Sequence, residues 1–360
     1  MASLNALVIA TGTGEPLLSV RPKPIHLLCG RPMVSYVLAA LAEAGVTSAS
    51  VVTGPDGGWI AKRVSAEPLA LSIRFVDQGG ASGNVEAALI GLDGLDDNDD
   101  EVDLLLVPAD IPLLRSDVVA AMIASHRATR SACTVMVGPA GVDVAQSASR
   151  VVLDRRGACV ALTRTPDRVA ETNRIGPEAL GIFVVRRDVL APVLRRIVPD
   201  PFTRQASLDA IVEVLADSGN QIGLFENDRL DDVVPVDSRH HLADAEAELR
   251  RRTNDYWMRR GVTMVDPATT YIDSTVLLGR DVTIFPSTML QGATVVGDRS
   301  QIGPFTRSQR LPHRHGLRDR NGQGIEAVVG DECVVGRLAS LGPGSAVKGA
   351  TRTGPLCCRD

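Results

Sequence analysis

Short apolar runs alternate with amphipathic stretches along the first two thirds of the chain, and a different rhythm takes over near residue 262. Residues 5–10 (NALVIA) form a continuous apolar run that ends in Thr11-Gly12-Thr13-Gly14. Such a run predicts a strand buried on both faces and closed by a turn. Pro32 suits the first turn of a helix carried by residues 33–44, and Gly45 stops it. Further strands are expected at 49–53, 72–76 and 103–107, the last running into Pro108-Ala109-Asp110-Ile111-Pro112. Asn84 and Ser116 stand as N-caps for helices that reach Gly91 and Arg127. Residues 93–101 read as an acidic surface loop. Shorter strands follow near 132–137, 150–153, 159–163 and 180–185, with helices at 187–196 and 207–217. Strands alternating with helices predict βαβ units and a mostly parallel sheet.

Residues 238–260 predict one long helix closed by Gly261. Beyond it, Ile272, Leu278, Ile284, Leu290, Val296 and Ile302 recur at every sixth position. Neither a helix nor a single strand has period six; a triangular β-solenoid does, with one aliphatic residue per side pointing inward. The pattern breaks over 307–324, which holds five arginines and two histidines. It resumes at Val329, Val335, Leu341 and Val347, three residues out of register. Two readings of the break stand: a surface insertion on the coil, or a shifted reading frame over 309–324. The chain thus divides into an α/β domain (1–236), a linker helix (237–261) and an incomplete hexapeptide-repeat β-helix (262–360), irregular after 306.

At 360 residues the chain suits two domains rather than one core, and aromatic residues are only 3%, so Ala, Val, Leu and Ile must build the interiors. A net charge of -5 gives nucleic-acid binding no support. The six cysteines are scattered without a CxxC, which argues against a zinc site or a disulfide framework. No signal peptide or membrane span is visible, and a cytoplasmic protein is expected. Lysine is rare: Lys23, Lys62 and Lys348 are the only ones.

Two segments carry candidate chemistry. The first is the turn after the opening strand, Ile9-Ala10-Thr11-Gly12-Thr13-Gly14, followed by Pro22-Lys23-Pro24-Ile25-His26. A glycine-rich turn lets backbone N–H groups approach phosphate oxygens, and a lysine close behind can neutralise them. A plain strand-to-helix turn with a surface lysine would read the same way. The second is Ala109-Asp110 past a buried strand's carboxyl end, where open α/β sheets bind ligands and where a carboxylate can hold Mg²⁺. A helix-capping aspartate is the alternative there.

Taken in this order, these segments resemble the bifunctional N-acetylglucosamine-1-phosphate uridyltransferase/glucosamine-1-phosphate acetyltransferase family. The family's L-A-A-G-x-G-T-R-M signature stands here as Ile9 to Leu17, and its P-K-x-L-H-x-L-x-G-x-P-M as Pro22 to Met33. Its G-D-x-P-L-L stands as Ala109 to Leu114, and the linker helix and hexapeptides follow in the family's order. The resemblance implies a Rossmann-like nucleotidyltransferase domain followed by a truncated left-handed β-helix that can trimerise. It implies Mg²⁺-dependent attack of an amino-sugar 1-phosphate on UTP, with release of pyrophosphate. Lys23 would contact phosphate, and Asp110 with Asp237 (in the family's G-V-N-N-R position) would hold Mg²⁺. Gln78, Ala81 and Ser82 would face the uracil. Molybdenum-cofactor nucleotidyltransferases share a similar first domain, but the solenoid argues against that assignment.

Departures from the family pattern carry expectations of their own. The signature arginine aligns with Pro16, which cannot donate a hydrogen bond, so an impaired enzyme is expected, or a non-catalytic nucleotide-binding paralogue or decaying gene product. The residues that grip the amino sugar align with Thr163 and Ala179. The second active site lacks its arginine at Gly342 and its later residues beyond Asp360, so no acetyltransferase activity is expected.

Overall fold

The computed structural model describes residues 4–55, 57–65, 67, 69–79, 83–95, 102–139, 149–165, 169, 173–198, 206–308 and 327–359. Contacts divide the chain into two compact units: Met1–His26 with Pro32–His241, and Leu27–Arg31 with Leu242–Asp360.

In chain order the first strands are β1 (Leu4–Ala10), β2 (Leu27–Leu28), β3 (Arg31–Pro32), β4 (Ser48–Thr53), β5 (Ser72–Asp77) and β6 (Asp103–Pro108). They are followed by β7 (Cys133–Val137), β8 (Ser149–Leu153), β9 (Cys159–Thr163), β10 (Arg174–Arg186) and β11 (Ile222–Glu226). The helices are α1 (Met33–Glu43), α2 (Gly57–Val64), α3 (Asn84–Leu92), α4 (Ser116–Thr129), α5 (Arg187–Leu194), α6 (Ala210–Asp217) and α7 (Arg239–Met258).

The first unit is built on a sheet of order β11-β7-β10-β6-β1-β4-β5, to which β8 and β9 are attached through β10. The strands β6, β1, β4 and β5 run parallel to one another, so their carboxyl ends share one edge. Alternation along β1 explains the layers. Ala6 and Val8 face a core with Val34, Val37, Leu38 and Leu41 of α1 and Val119 and Met122 of α4. Leu7 faces the other side, with Val85 and Ala88 of α3 and Leu190 and Leu194 of α5. Burial on both faces is what a continuous apolar strand requires.

Strand β10 departs from the parallel pattern. It lies antiparallel between β6 and β7, with Phe183 opposite both Leu106 and Val135. Its first half, carrying Ala179, continues past the carboxyl end of β6 and pairs with β8, which pairs with β9. Here the sequence reading of 180–185 falls short by several residues. Gly181, at φ +72°, interrupts the alternation and marks the irregularity in register. The caps also differ. Gly83 and Arg115 occupy the N-cap positions, so Asn84 and Ser116 are the first helical residues instead. The α6 helix begins at Ala210, not near 207. The sequence reading missed α2, because Gly57-Gly58 opens it, and the edge strand β11.

In the second unit, α7 leads into short parallel strands stacked in three columns. One column holds Met264, Ile284, Ile302 and Val335; the second Ile272, Leu290, Ser308 and Leu341; the third Leu278, Val296, Val329 and Val347, all buried and inward. This is a left-handed β-helix with one inward residue per side. Successive coils are offset by 18 residues, as Ile284 opposite Ile302 shows. Across the break the offset is 33, as Val296 opposite Val329 and Ile302 opposite Val335 show, an excess of 15 residues. Each column therefore continues on both sides of the break, and the three-residue slip disappears in space. Ser308 takes an aliphatic position and satisfies its hydroxyl on Thr294 Oγ1 at 2.5 Å. Residues 309–326, where the frame-shift reading falls, lie outside the described residues.

The β2–β3 hairpin belongs to this second unit. The Cys29 N–H donates to Glu246 Oε2 at 2.8 Å, and the Cys29 carbonyl accepts from the Ser274 N–H at 3.0 Å. Burial, then the neighbouring carboxylates of Glu246 and Asp273, push the Cys29 thiol far up, so it stays protonated.

Candidate active site

The site grows from the carboxyl edge of the parallel strands. After Ala10 the chain leaves the sheet as Thr11 to Gly14 and makes a single 3-10 turn, Glu15–Leu17. The Gly14 carbonyl accepts from the N–H groups of Leu17 and Ser19, both at 3.0 Å. A side chain at Gly14 would collide with the Ser19 and Arg21 carbonyl oxygens, so glycine is required by close approach. Arg239, at the start of α7, donates through Nε to the Leu17 carbonyl at 2.8 Å and ties the loop down.

The next segment returns to the same place. The Lys23 N–H donates to the Gly12 carbonyl at 3.2 Å, and the lysine stem lies beside Gly12. The Ala109 N–H donates to the Ile9 carbonyl at 3.0 Å, which sets Asp110 next to the glycine loop. The Val236 N–H donates to the Asp110 carbonyl at 2.9 Å, which brings in Asp237. The result is a single cluster: Lys23 Nζ lies 2.6 Å from Asp110 Oδ2 and 2.5 Å from Asp237 Oδ1. Burial by itself pulls the Lys23 ammonium down, but the two carboxylates outweigh it and hold its pKa above the ordinary value. Lysine 23 is therefore charged across the physiological range.

Of the other expected residues, Ile9, Ala10, Thr11 and Gly12 line the turn beside this cluster. Gln78 follows β5 on the same sheet edge; it is buried, and its Nε2 donates to the Gly83 carbonyl at 2.8 Å, closing the loop it begins. Ala81 and Ser82 lie outside the described residues. Pro16 sits exposed in the 3-10 turn. Ala179 is on the part of β10 that extends past the carboxyl end of β6, opposite Ser149, and Thr163 pairs with Arg150 on β8.

Sequence reasoning missed two features. Arg239 reaches the loop through a backbone carbonyl 222 residues away, which no local pattern signals. Asp209 collects Ser149 Oγ at 2.6 Å, Ser207 Oγ at 3.0 Å and Arg164 Nη2 at 3.7 Å, fixing the loop before α6 against β8. His26 is buried; desolvation, then the charge of Arg239, lowers its pKa, so it is neutral at pH 7 and packs rather than reacts.

Residues 6–164 match the MobA-like NTP transferase domain family. The chain is 32% identical over 343 residues to the bifunctional protein GlmU of Mycobacterium bovis, covering 95% of this chain and 69% of that one. It is 30% identical over 349 residues to that of Corynebacterium efficiens, covering 96% and 70%. The chain belongs to the bifunctional GlmU family. Its relationship to that family runs through both units, since a third GlmU, from Caldanaerobacter subterraneus, is 29% identical over 349 residues and 97% of this chain. As a GlmU family member it carries a nucleotidyltransferase domain of the sugar-phosphate class. A solved CMP:2-keto-3-deoxy-manno-octonic acid synthetase complexed with CTP is 18% identical, covers 70% of this chain and all of its own, and has a TM-score of 0.52; it shares the fold. Among the described residues no helix is long and apolar enough to cross a membrane.

Proposed function

We propose that the protein forms UDP-N-acetylglucosamine from UTP and N-acetylglucosamine 1-phosphate in an Mg²⁺-dependent reaction, slowed by Pro16. The observation that carries this reading is the convergence of Asp110 and Asp237 on Lys23 beside the glycine loop. Two hard carboxylates already holding one cation suit Mg²⁺, which takes one or two carboxylates and fills its remaining positions with water and phosphate. When bound, Mg²⁺ would neutralise the charge that develops on the phosphates.

The chain's own residues position the reactants. Backbone N–H groups of the 11–14 turn face the nucleotide phosphates, and Lys23 adds a fixed positive charge. The sugar phosphate oxygen attacks the α-phosphorus; the bond to the β-phosphate breaks, and pyrophosphate leaves. Thr163 and Ala179, aligned with the positions that grip the amino sugar, stand on β9 and the first half of β10, which favours an acceptor-sugar site beside that extension. Little covalent work falls to the protein; it aligns groups and offsets charge. A proline at position 16 supplies no donor to the triphosphate, and loss of one such donor costs on the order of 10²–10³ in rate. That feature also favours a second reading, a nucleotide-binding paralogue without turnover.

Pyrophosphate release with Mg²⁺, UTP and N-acetylglucosamine 1-phosphate separates the readings. Turnover that disappears in Asp110→Asn and rises in Pro16→Arg supports the enzyme. Silence in the wild type with rescue in Pro16→Arg leaves a binding scaffold disabled at one position. Silence in both folded proteins overturns this substrate pair.

A further inference from the structure

We propose that Lys23 is a displaceable internal counterion, which holds Asp110 and Asp237 together while no divalent cation is present and gives them up when one arrives. The proposal rests on the reading of these carboxylates as divalent-cation ligands. Three observations lead to it. First, one ammonium bridges both carboxylates, at 2.6 Å from Asp110 Oδ2 and 2.5 Å from Asp237 Oδ1, so it stands between the two groups where a shared cation would stand. Second, the exposures are graded: the side chain of Lys23 is 7% exposed, that of Asp110 23% and that of Asp237 45%. The ammonium lies on the inner side, and the carboxylates face solvent, from which a cation would approach. Third, the charges do not cancel. Two carboxylates and one ammonium leave one net negative charge, whereas a divalent ion in place of the ammonium would bring the pair to neutrality.

Displacement asks only for rotation about the bonds of the lysine side chain. The flexible lysine stem lies along Gly12, and its N–H is held by the Gly12 carbonyl. A freed ammonium therefore remains beside the glycine turn, where nucleotide phosphates are expected. Metal and phosphate would then assist each other: a cation on the carboxylates releases Lys23 to phosphate, and phosphate on Lys23 releases the carboxylates to the cation. Such coupling is reciprocal by necessity.

The test is Mn²⁺ affinity of the full chain, measured calorimetrically with no nucleotide, for wild type, Lys23→Met and Asp110→Asn. Displacement predicts that Lys23→Met binds Mn²⁺ about tenfold more tightly than wild type, and that UTP tightens Mn²⁺ less in the variant than in wild type. Equal or weaker binding by Lys23→Met overturns the proposal, even where Asp110→Asn abolishes binding and so upholds the metal-site reading. Absence of Mn²⁺ binding from all three proteins overturns both. If Lys23→Met does not fold, Lys23→Gln, which keeps hydrogen-bond donors without the charge, serves under the same criteria. A gain in melting temperature on adding Mn²⁺, larger in the variant than in wild type, gives an independent readout.

Discussion

Gly14 accepts two backbone hydrogen bonds while carbonyl oxygens of Ser19 and Arg21 crowd the space where a side chain would stand. Gly14→Ala should therefore shift the loop and cost about 1–3 kcal/mol in stability, seen in denaturant unfolding, together with weakened UTP binding. Unchanged UTP affinity would show that the loop is not the phosphate cradle. At the same scale, Arg239→Gln should free the Leu17 carbonyl from its anchor. Steady-state kinetics should show a higher KM for UTP with a smaller change in kcat; an equal fall in kcat and kcat/KM, with KM unchanged, would mean that Arg239 acts in the transition state. Asp110 was legible in the sequence because it stands two residues past the carboxyl end of a buried strand, where open sheets bind ligands, and Lys23 because it is a rare lysine following a glycine-rich turn. Arg239 and Asp209 were not, because their partners lie far off along the chain and are in part backbone atoms or hydroxyls that carry no sequence signal.

The long helix α7 shows what an element contributes beyond its length. Asn254, buried near its end, donates through Nδ2 to the carbonyls of Pro267 and Thr270, at 2.9 and 3.0 Å, and so fixes the helix against the first coil. Asn254→Ala should cost about 1–3 kcal/mol by leaving those carbonyls unpaired, measured as a fall in the denaturant midpoint. Six residues earlier, hydrogen bonds from Arg251 and then Arg252 hold Glu248 down to about 2. A carboxyl depressed below its unfolded value, about 4.3, stabilises the fold above that pH and loses the contribution as pH falls toward 2. Wild type should therefore lose more stability between pH 5 and pH 2 than Glu248→Gln; parallel losses would mean the ion pairs contribute nothing. Period six identified the coil residue by residue, because an inward aliphatic position per side is a geometric necessity. The antiparallel β10 was half hidden, since Gly181 and the bulge beside it break the alternation that betrays a strand.

At the scale of the whole molecule, the chain passes between the two units three times: after His26, after Arg31 and after His241. Lys23 lies three residues before the first crossing and Asp237 four before the last. The hairpin between the first two crossings finds its hydrogen-bond partners, Glu246 and Ser274, in the second unit. A protein cut after His241 should keep the α/β sheet but leave residues 27–31 unsupported, so that amide hydrogen exchange there accelerates while that of β1 stays slow. Protection unchanged at Cys29 would show that the hairpin is held by other means. The stacking of the coils has a consequence of a different kind. Because Val296 meets Val329 and Ile302 meets Val335 despite 15 additional residues, the solenoid keeps its alignment by touch rather than by counting. Registration of this kind does not depend on chain length between the rungs: changing the number of residues between Ser308 and Ala327 should leave both the pairing of Val296 with Val329 and the melting temperature unchanged.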